Sequence, residues 1–482
     1  MINFRIVARA LSQVLILEGL FMAVAGLVSY IFREGEAYSF LYSAIITIVT
    51  GILVFTPLRD TEKTYGSREG YIIITGTWIL LCTFSTLPFL FSGASHSFTD
   101  AFFESMSGFT TTNATLYKDP GVLPHGILFW RSLTQWLGGM LTITLSMYIL
   151  PVTKTLNIQL PTSEFSGQIT DKTHPRILKA AKILVLLYAG FTLAEVVMLI
   201  IGKIPLFDAV CHAFTTISAG GFSTHSNGIA AFESPYIRIV ITVFMFFAGT
   251  NLALVYFYFK GDRKKMTGIN EFALYSILTV GFSIIVAVLL FTETGNTAGR
   301  SLLSGFFHVV SIITTTGFYF EDYTLWHTSA LFIIFLLMFS GAMAGSASGG
   351  IKMIRLLIIA RTNRKEIKHL LHPEAVLPVH VDKKTIPGGI LLNLMILFAL
   401  YLITVCSGAI VISFMDYNLI TSISTSASIV GNIGPGIGSF GPFSDFSTMP
   451  VAGKWFLSLL MLLGRLELMG VVILLSGSFY KN

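Results

Sequence analysis

FTTTNAT, residues 109–115, is a run of threonines between two apolar stretches of membrane length, in a segment too short to cross a bilayer itself. Three other stretches share its character: HAFTTISAGGFS at 212–223, HVVSIITTTGFY at 308–319 and SISTSASIVGNI at 422–433. Placing Asn113, Gly221, Gly317 and Gly431 in register leaves a hydroxyl three residues earlier in every copy: Thr110, Ser218, Thr314 and Ser428. Six residues earlier there is another: Ser107, Thr215, Ser311 and Thr425. A fourfold internal repeat of this kind decides architecture before any single residue does.

The rest of the chain supplies the frame. Its 482 residues are 54% hydrophobic and 12% charged, with mean hydropathy +0.76. That is too little charge to cover a soluble surface, so the composition describes a polytopic membrane protein. Apolar stretches of spanning length fall at 10–32, 39–57, 71–92, 125–150, 180–203, 235–260, 271–292, 327–361, 387–414 and 451–479. The shorter segments 97–116, 206–223, 299–318 and 416–436 lie between them and read as re-entrant. Ala23-Val24-Ala25 resembles a signal-peptidase site, but the apolar run continues to Phe32, which makes it a retained helix. Cys82, Cys211 and Cys406 are far apart and suggest neither a disulfide framework nor a metal site.

Most of the 31 Lys and Arg fall on one side. With the N-terminus inside, the inner loops hold Arg59, Lys63 and Arg68, then Lys154, Lys172, Arg176 and Lys179, then Lys260, Arg263, Lys264 and Lys265, and a dense run from Lys352 to Lys384. This is a positive-inside pattern with both termini cytoplasmic. It puts the four short segments on the outer side.

Irregular backbone at membrane depth survives only where it is buried in protein or lines water. A short helix that enters and stops leaves its last carbonyls unpaired, and glycine lets the chain turn back. Four copies around an axis point rings of carbonyl oxygens at one another, which can replace the hydration shell of a monovalent cation. The threonines therefore read as the wall of a pore. The filter candidates are the backbone carbonyls of Thr111-Thr112-Asn113, Ala219-Gly220-Gly221, Thr315-Thr316-Gly317 and Ile429-Val430-Gly431. The bland alternative is close helix packing by small residues, which one segment would favour and four in register do not.

FESMSGFTTT at 103–112, WRSLTQWLGG at 130–139, ISAGGFSTH at 217–225, TTTGF at 314–318, GSASGGIKMIR at 345–355, SIVGNIGPG at 428–436 and LLGRLELM at 462–469 together resemble the TrkH/KtrB superfamily of potassium-uptake subunits, most closely the TrkH branch. The resemblance covers essentially the whole chain. It implies an all-α polytopic membrane protein with four M1–P–M2 units around one selectivity filter, preceded by two extra helices. The division is then 1–66 for the two N-terminal helices, 67–153, 154–266 and 267–372 for repeats one to three, and 373–482 for repeat four. It further implies K+ as the transported ion with no organic cofactor, a homodimer in a bacterial inner membrane, and a cytosolic nucleotide-binding ring of TrkA type that controls opening.

The eighth span, 327–361, is overlong, and Gly345 to Gly350 should break it near its middle. Gly341, Gly345 and Gly349 also carry the GxxxG spacing of packed helices. The resemblance places a gating loop here, formed by Gly345, Ser346, Ala347, Ser348, Gly349 and Gly350 with Lys352 following. Arg465 is mid-span in the last helix, where an arginine is costly and so marks function. A buried ion pair or a carbonyl-capping role is the competing reading; the resemblance puts it below the filter as a positive barrier. Glu18 and Glu195 are also mid-span, and structural hydrogen bonding and ion attraction both remain open for them. His212 and His308 stand nine residues before the ring glycine, where repeats one and four have Glu104 and Ser422, and read as polar anchors of the short helices rather than metal ligands.

Two motifs are set aside. Gly436-Ile-Gly438-Ser-Phe-Gly441 matches a dinucleotide fingerprint, but no strand precedes it and Pro442 follows. Asn113-Ala-Thr115 is a glycosylation sequon buried in the filter candidate. A secondary transporter of another cation or small solute would show two related halves, whereas this repeat is fourfold. An intramembrane enzyme would need clustered His, Asp or Glu at matched depth, which the spans lack. Channel-like and H+- or Na+-coupled transport remain alternatives. The family pattern has Gly where this chain has Asn113, and plant relatives with Ser there permeate Na+, so weaker rejection of Na+ is expected.

Overall fold

The computed structural model describes residues 2–61, 66–152, 174–259, 269–295, 297–375, 377–382 and 384–480. The basic residues Lys63, Lys154, Lys172, Lys260, Arg263, Lys264, Lys265 and Lys383, and the repeat boundaries near 153 and 266, lie outside the described residues.

Two N-terminal helices come first, α1 (Phe4–Ile31) and α2 (Ala37–Phe55). They pack closely because glycines stand at the contact. A Cβ on Gly51 would lie 2.7 Å from Ile16 Cγ1, and one on Gly19 would meet Ile48. Repeat one follows as α3 (Ser67–Phe84), α4 (Thr86–Phe91), the short α5 (Phe98–Phe109) and α6 (His125–Val152). Repeat two is α7 (His174–Ile201), α8 (Leu206–Ile217), α9 (Pro235–Ala248) and α10 (Leu252–Phe259). Repeat three is α11 (Asn270–Thr294), α12 (Ala298–Ile313), α13 (Thr328–Leu337) and α14 (Met353–Leu371). After a hairpin of two-residue strands, His380–Val381 and Lys384–Thr385, repeat four is α15 (Gly388–Ser413), α16 (Leu419–Val430), α17 (Val451–Arg465), α18 (Met469–Leu475) and α19 (Gly477–Tyr480).

Six helices among the described residues are long and apolar enough to cross a membrane: Phe4–Ile31, Ala37–Leu58, Arg68–Phe91, Ala181–Ile201, Asn270–Glu293 and Gly388–Ser413. The chain is a multi-pass membrane protein. Leu20, Leu27, Leu41 and Leu53 are exposed on α1 and α2, as lipid-facing side chains should be.

Three stretches that read as single spans are broken. The span 235–260 stops at Gly249–Asn251, and 451–479 stops at Leu466–Leu468, where Glu467 and Leu468 adopt positive φ. The break in 327–361 covers 338–352, which is wider than the glycine run that announced it. Continuous hydropathy hid the first two, because the groups that break these helices come from distant parts of the chain.

Candidate functional site

Four short helices, α5, α8, α12 and α16, end at Thr110, Ser218, Thr314 and Gly431. Past each end the backbone turns back in the same way. Thr111, Ala219, Thr315 and Asn432 have φ of 52°, 54°, 58° and 55°. Two residues later, positive φ recurs at Asn113 (59°), Gly221 (80°), Gly317 (75°) and Gly434 (97°). The amide between them reaches back six residues less one into its own helix: Thr112 to Ser107 O, Gly220 to Thr215 O, Thr316 to Ser311 O and Ile433 to Ser428 O, at 2.9, 2.8, 2.9 and 2.8 Å.

This geometry corrects the register of repeat four. Ile429 and Val430 form the last turn of α16, and Gly431 is its C-cap at φ −73°. The residue matching Asn113, Gly221 and Gly317 is Gly434, so the fourth irregular segment is Asn432-Ile433-Gly434. Side chains agree: Ser311 Oγ donates to Phe318 O at 2.7 Å, and Ser428 Oγ to Pro435 O at 2.8 Å. Both link the sixth residue before the glycine to the first after it. The sequence pattern favours the wrong register: with Gly431 aligned, Ser428 and Thr425 supply both hydroxyls, whereas with Gly434 aligned only Ser428 does and Gly431 takes the other place.

The segments close into a ring whose order the glycines reveal. A Cβ on Gly221 would collide with the Thr316 carbonyl oxygen, one on Gly317 with that of Ile433, and one on Gly434 with that of Thr112. Each repeat thus abuts the next, in the order two, three, four, one. Holding Thr111 and Thr315 in the left-handed region costs about 1–2 kcal/mol each, strain of the kind that clusters at functional sites.

The surroundings over-determine this backbone. Thr110 and Thr112 share a hydroxyl hydrogen bond at 2.7 Å, and Thr314 and Thr316 one at 2.8 Å. In repeat two, Gln135 does that work from α6. Its Nε2 donates to Gly220 O at 2.8 Å, and its Oε1 accepts from Phe222 N at 3.0 Å. Glu104, in the slot held by His212 and His308, pairs with Arg131 at 2.8 Å and accepts from Leu116 N at 3.0 Å. Arg131 also lies over the Phe222 ring, 4.3 Å from its centroid. His212 and His308 join Nδ1 to the carbonyls of Asp208 and Ser304 at 2.8 and 2.9 Å. Under the corrected register the repeat-four slot belongs to Thr425 rather than Ser422.

The loop 338–352 packs against this ring. Gly349 N donates to Thr315 Oγ1 at 2.7 Å, and a Cβ on Gly349 would meet the Gly431 carbonyl and lie 2.8 Å from Asn432 Cβ. Arg465 Nη1 donates to Ala347 O at 2.8 Å and its Nη2 to Gly138 O at 3.3 Å. Lys352 Nζ donates to the Ser348 carbonyl, and Ser346 and Ser348 share a hydroxyl bond at 2.8 Å. Gly345 (φ 80°) and Gly350 (φ 63°) turn the chain. The structure thus brings Gly345 to Gly350, Lys352 and Arg465 together beside the ring.

Sequence reasoning missed the group that ties this loop down. Glu271, buried at the start of α11, accepts from Ala344 N at 2.7 Å and from Ile354 N at 3.1 Å through one oxygen. Arg355, just beyond the loop, pairs with Glu467 at the break in repeat four. Glu18 and Glu195 are both buried, and Glu195 lies beside Thr216.

A membrane protein with four pore-helix segments closed into one ring has the architecture of a cation-conducting subunit. The chain belongs to the TrkH family, described as cation transport proteins, whose family model matches residues 37–480. It is 33% identical to the Trk system potassium uptake protein TrkH of Salmonella typhimurium, over all of both chains. It is 30% identical to TrkG of Escherichia coli K12, covering 100% of this chain and 99% of that one. The crystal structure of the potassium transporter TrkH from Vibrio parahaemolyticus superposes with a TM-score of 0.92 at 30% identity, with both chains fully covered.

Proposed function

We propose that this chain is the potassium-translocating pore subunit of a Trk-type uptake system, passing K+ and Rb+ and rejecting Na+ less well than an all-glycine ring. The observation that carries the reading is the closed ring of four segments, each with two positive-φ residues separated by one other, in which each of three glycines abuts the carbonyl of the next repeat. The filter is then Thr111-Thr112-Asn113, Ala219-Gly220-Gly221, Thr315-Thr316-Gly317 and Asn432-Ile433-Gly434. Its carbonyls replace the water around a dehydrated cation. The four short helices present their carboxyl ends to the ring, the negative ends of their dipoles, which favours a cation there.

The loop through Gly345, Ser346, Ala347, Ser348, Gly349 and Gly350, with Lys352, is the gate. Arg465 adds positive charge and holds the loop by its Ala347 carbonyl. No residue is given a catalytic step, and K+ is cargo. We further place the chain as a homodimer in a bacterial inner membrane with both termini cytoplasmic, gated by a TrkA-type nucleotide-binding ring. The four units keep the 67–153, 154–266, 267–372 and 373–482 division.

Rubidium flux into K+-loaded liposomes containing only this protein tests the reading. Accumulation of Rb+ driven by the K+ gradient is expected. Uptake of an organic solute without Rb+ flux would move the chain to the secondary transporters.

A further inference from the structure

Repeat one alone carries a side chain at the ring position occupied elsewhere by glycine. Asn113 Nδ2 donates to the Gly317 carbonyl oxygen at 2.9 Å. The ring runs two, three, four, one, so repeats one and three face each other across it. A bond between Asn113 and Gly317 therefore crosses the ring from one side to the other.

The glycines fit around this amide. A Cβ on Gly221 would lie 2.7 Å from Asn113 Nδ2 and 2.9 Å from Asn113 Cγ. One on Gly317 would lie 3.1 Å from the same nitrogen. One on Gly434 would lie 2.6 Å from the Asn113 carbonyl carbon. Gly221 and Gly317 thus leave room for the Asn113 side chain, while Gly434 meets only the backbone of that residue. An amide oxygen in place of Nδ2 would face the Gly317 oxygen, so the N–H is the group that fits. Gln135 supplies an independent sign of asymmetry, because its amide holds the Gly220 carbonyl in the repeat next to Asn113.

We propose that the Asn113 side chain is a displaceable cap on the outer end of the filter, where an arriving monovalent cation competes with its N–H for the Gly317 carbonyl oxygen. This rests on the reading of the ring as the ion path. The amide opens toward the cavity it lines together with Thr115, Tyr117, His225, Tyr319 and Phe443. Rotation about its two side-chain torsions turns Oδ1, an acceptor, toward the cation that has taken its place. Asn113 is then both lid and outermost ligand.

The test is initial Rb+ influx against external Rb+ in liposomes of the full chain, for wild type, Asn113→Gly and Asn113→Asp. Removing the cap in Asn113→Gly should raise influx at low Rb+ and lower the half-saturating concentration, each by about three- to tenfold, the worth of one hydrogen bond. Asn113→Asp is nearly isosteric and has no N–H to donate, so it should move half-saturation the same way and add sensitivity to external Ba2+. Equal half-saturation in all three proteins, with Rb+ still moving, would overturn the cap and leave the pore reading standing. Absence of Rb+ flux in all three would overturn both.

Discussion

The ring and the loop beside it are both irregular backbone, yet they are held by opposite means. In the ring, each turn is fixed by its own helix, and the Thr112, Gly220, Thr316 and Ile433 amides all reach back to the same relative carbonyl. The loop 338–352 has local bonds of its own, such as Lys352 to Ser348, but it is anchored to the rest of the protein by groups from far away. Ala344 bonds Glu271 across 73 positions, Gly349 bonds Thr315 across 34, and Ala347 bonds Arg465 across 118. A conformation encoded locally and repeated four times cannot shift in one copy without losing the ring. A conformation fixed by a few long-range bonds can leave as a unit once those bonds go. On the proposed reading, selectivity belongs to the first kind of construction and gating to the second.

The sharpest way to break this comparison is to remove the loop. Deleting residues 345–350 should raise partner-independent Rb+ flux by the largest factor of any change considered, roughly a hundredfold, because a plug worth two or three hydrogen bonds disappears. Unchanged flux in a correctly inserted deletion would reduce the loop to packing.

Glu271→Ala comes next. It removes the one oxygen that accepts from both ends of the loop. Each of these hydrogen bonds contributes about 0.5–1.5 kcal/mol net, so losing the pair should favour the open form roughly tenfold. Glu271→Gln keeps an acceptor oxygen and should fall between. If both variants leak no more than wild type, the loop is held by its glycine contacts and not by this carboxylate.

Arg465→Ala should have a smaller effect, about two- to fivefold, since one loop bond and one positive charge are lost while Glu271 still holds. Arg465→Lys separates the two contributions. Lysine keeps the charge but cannot make the fork that reaches both Ala347 and Gly138. Flux like that of Arg465→Ala would assign the effect to the carbonyl bonds; flux like wild type would assign it to charge.

The same contrast explains what could be read from the sequence. The four short helices were legible because hydroxyls and glycines recur at fixed spacing within each segment, and the bonds they make are local. Arg465 stood out because an arginine is costly in an apolar span, and its bonds to the Ala347 and Gly138 carbonyls match the capping role weighed for it. Gly434 was missed because Ser428 and Thr425 complete the hydroxyl pattern when Gly431 is aligned, and the φ values at Asn432 and Gly434 reveal the true register. Glu271 and Gln135 gave no signal. One looks like an ordinary acid at the head of a helix, and the other sits in a motif whose apolar and basic residues draw the eye. Their partners are distant in sequence. The breaks at Gly249–Asn251 and Leu466–Leu468 were hidden for the same reason: Gly249 O is taken by Met343 N, and Glu467 by Arg355.

The smallest expected effect lies at the outer rim, where the ring meets water and charge can act without moving any backbone. His225 is half-exposed and lines the same cavity as Asn113. Its Nε2 is 3.7 Å from Asp208 Oδ2, and that carboxylate raises the imidazole above its ordinary range, with burial opposing and Asp119 adding to the shift. A raised value means that His225 takes up its proton early as the outside is acidified. The added positive charge stands beside the cation path, so Rb+ influx should fall as external pH drops through that range. Asp208 offsets much of the charge, and water and salt screen the remainder. The fall should therefore be no more than about twofold between roughly pH 8 and pH 5.5. His225→Gln keeps a polar side chain without the titration and should flatten this part of the profile. A profile identical to wild type would mean that the His225–Asp208 pair stays electrically silent at the rim, where Arg131 is already balanced by Glu104.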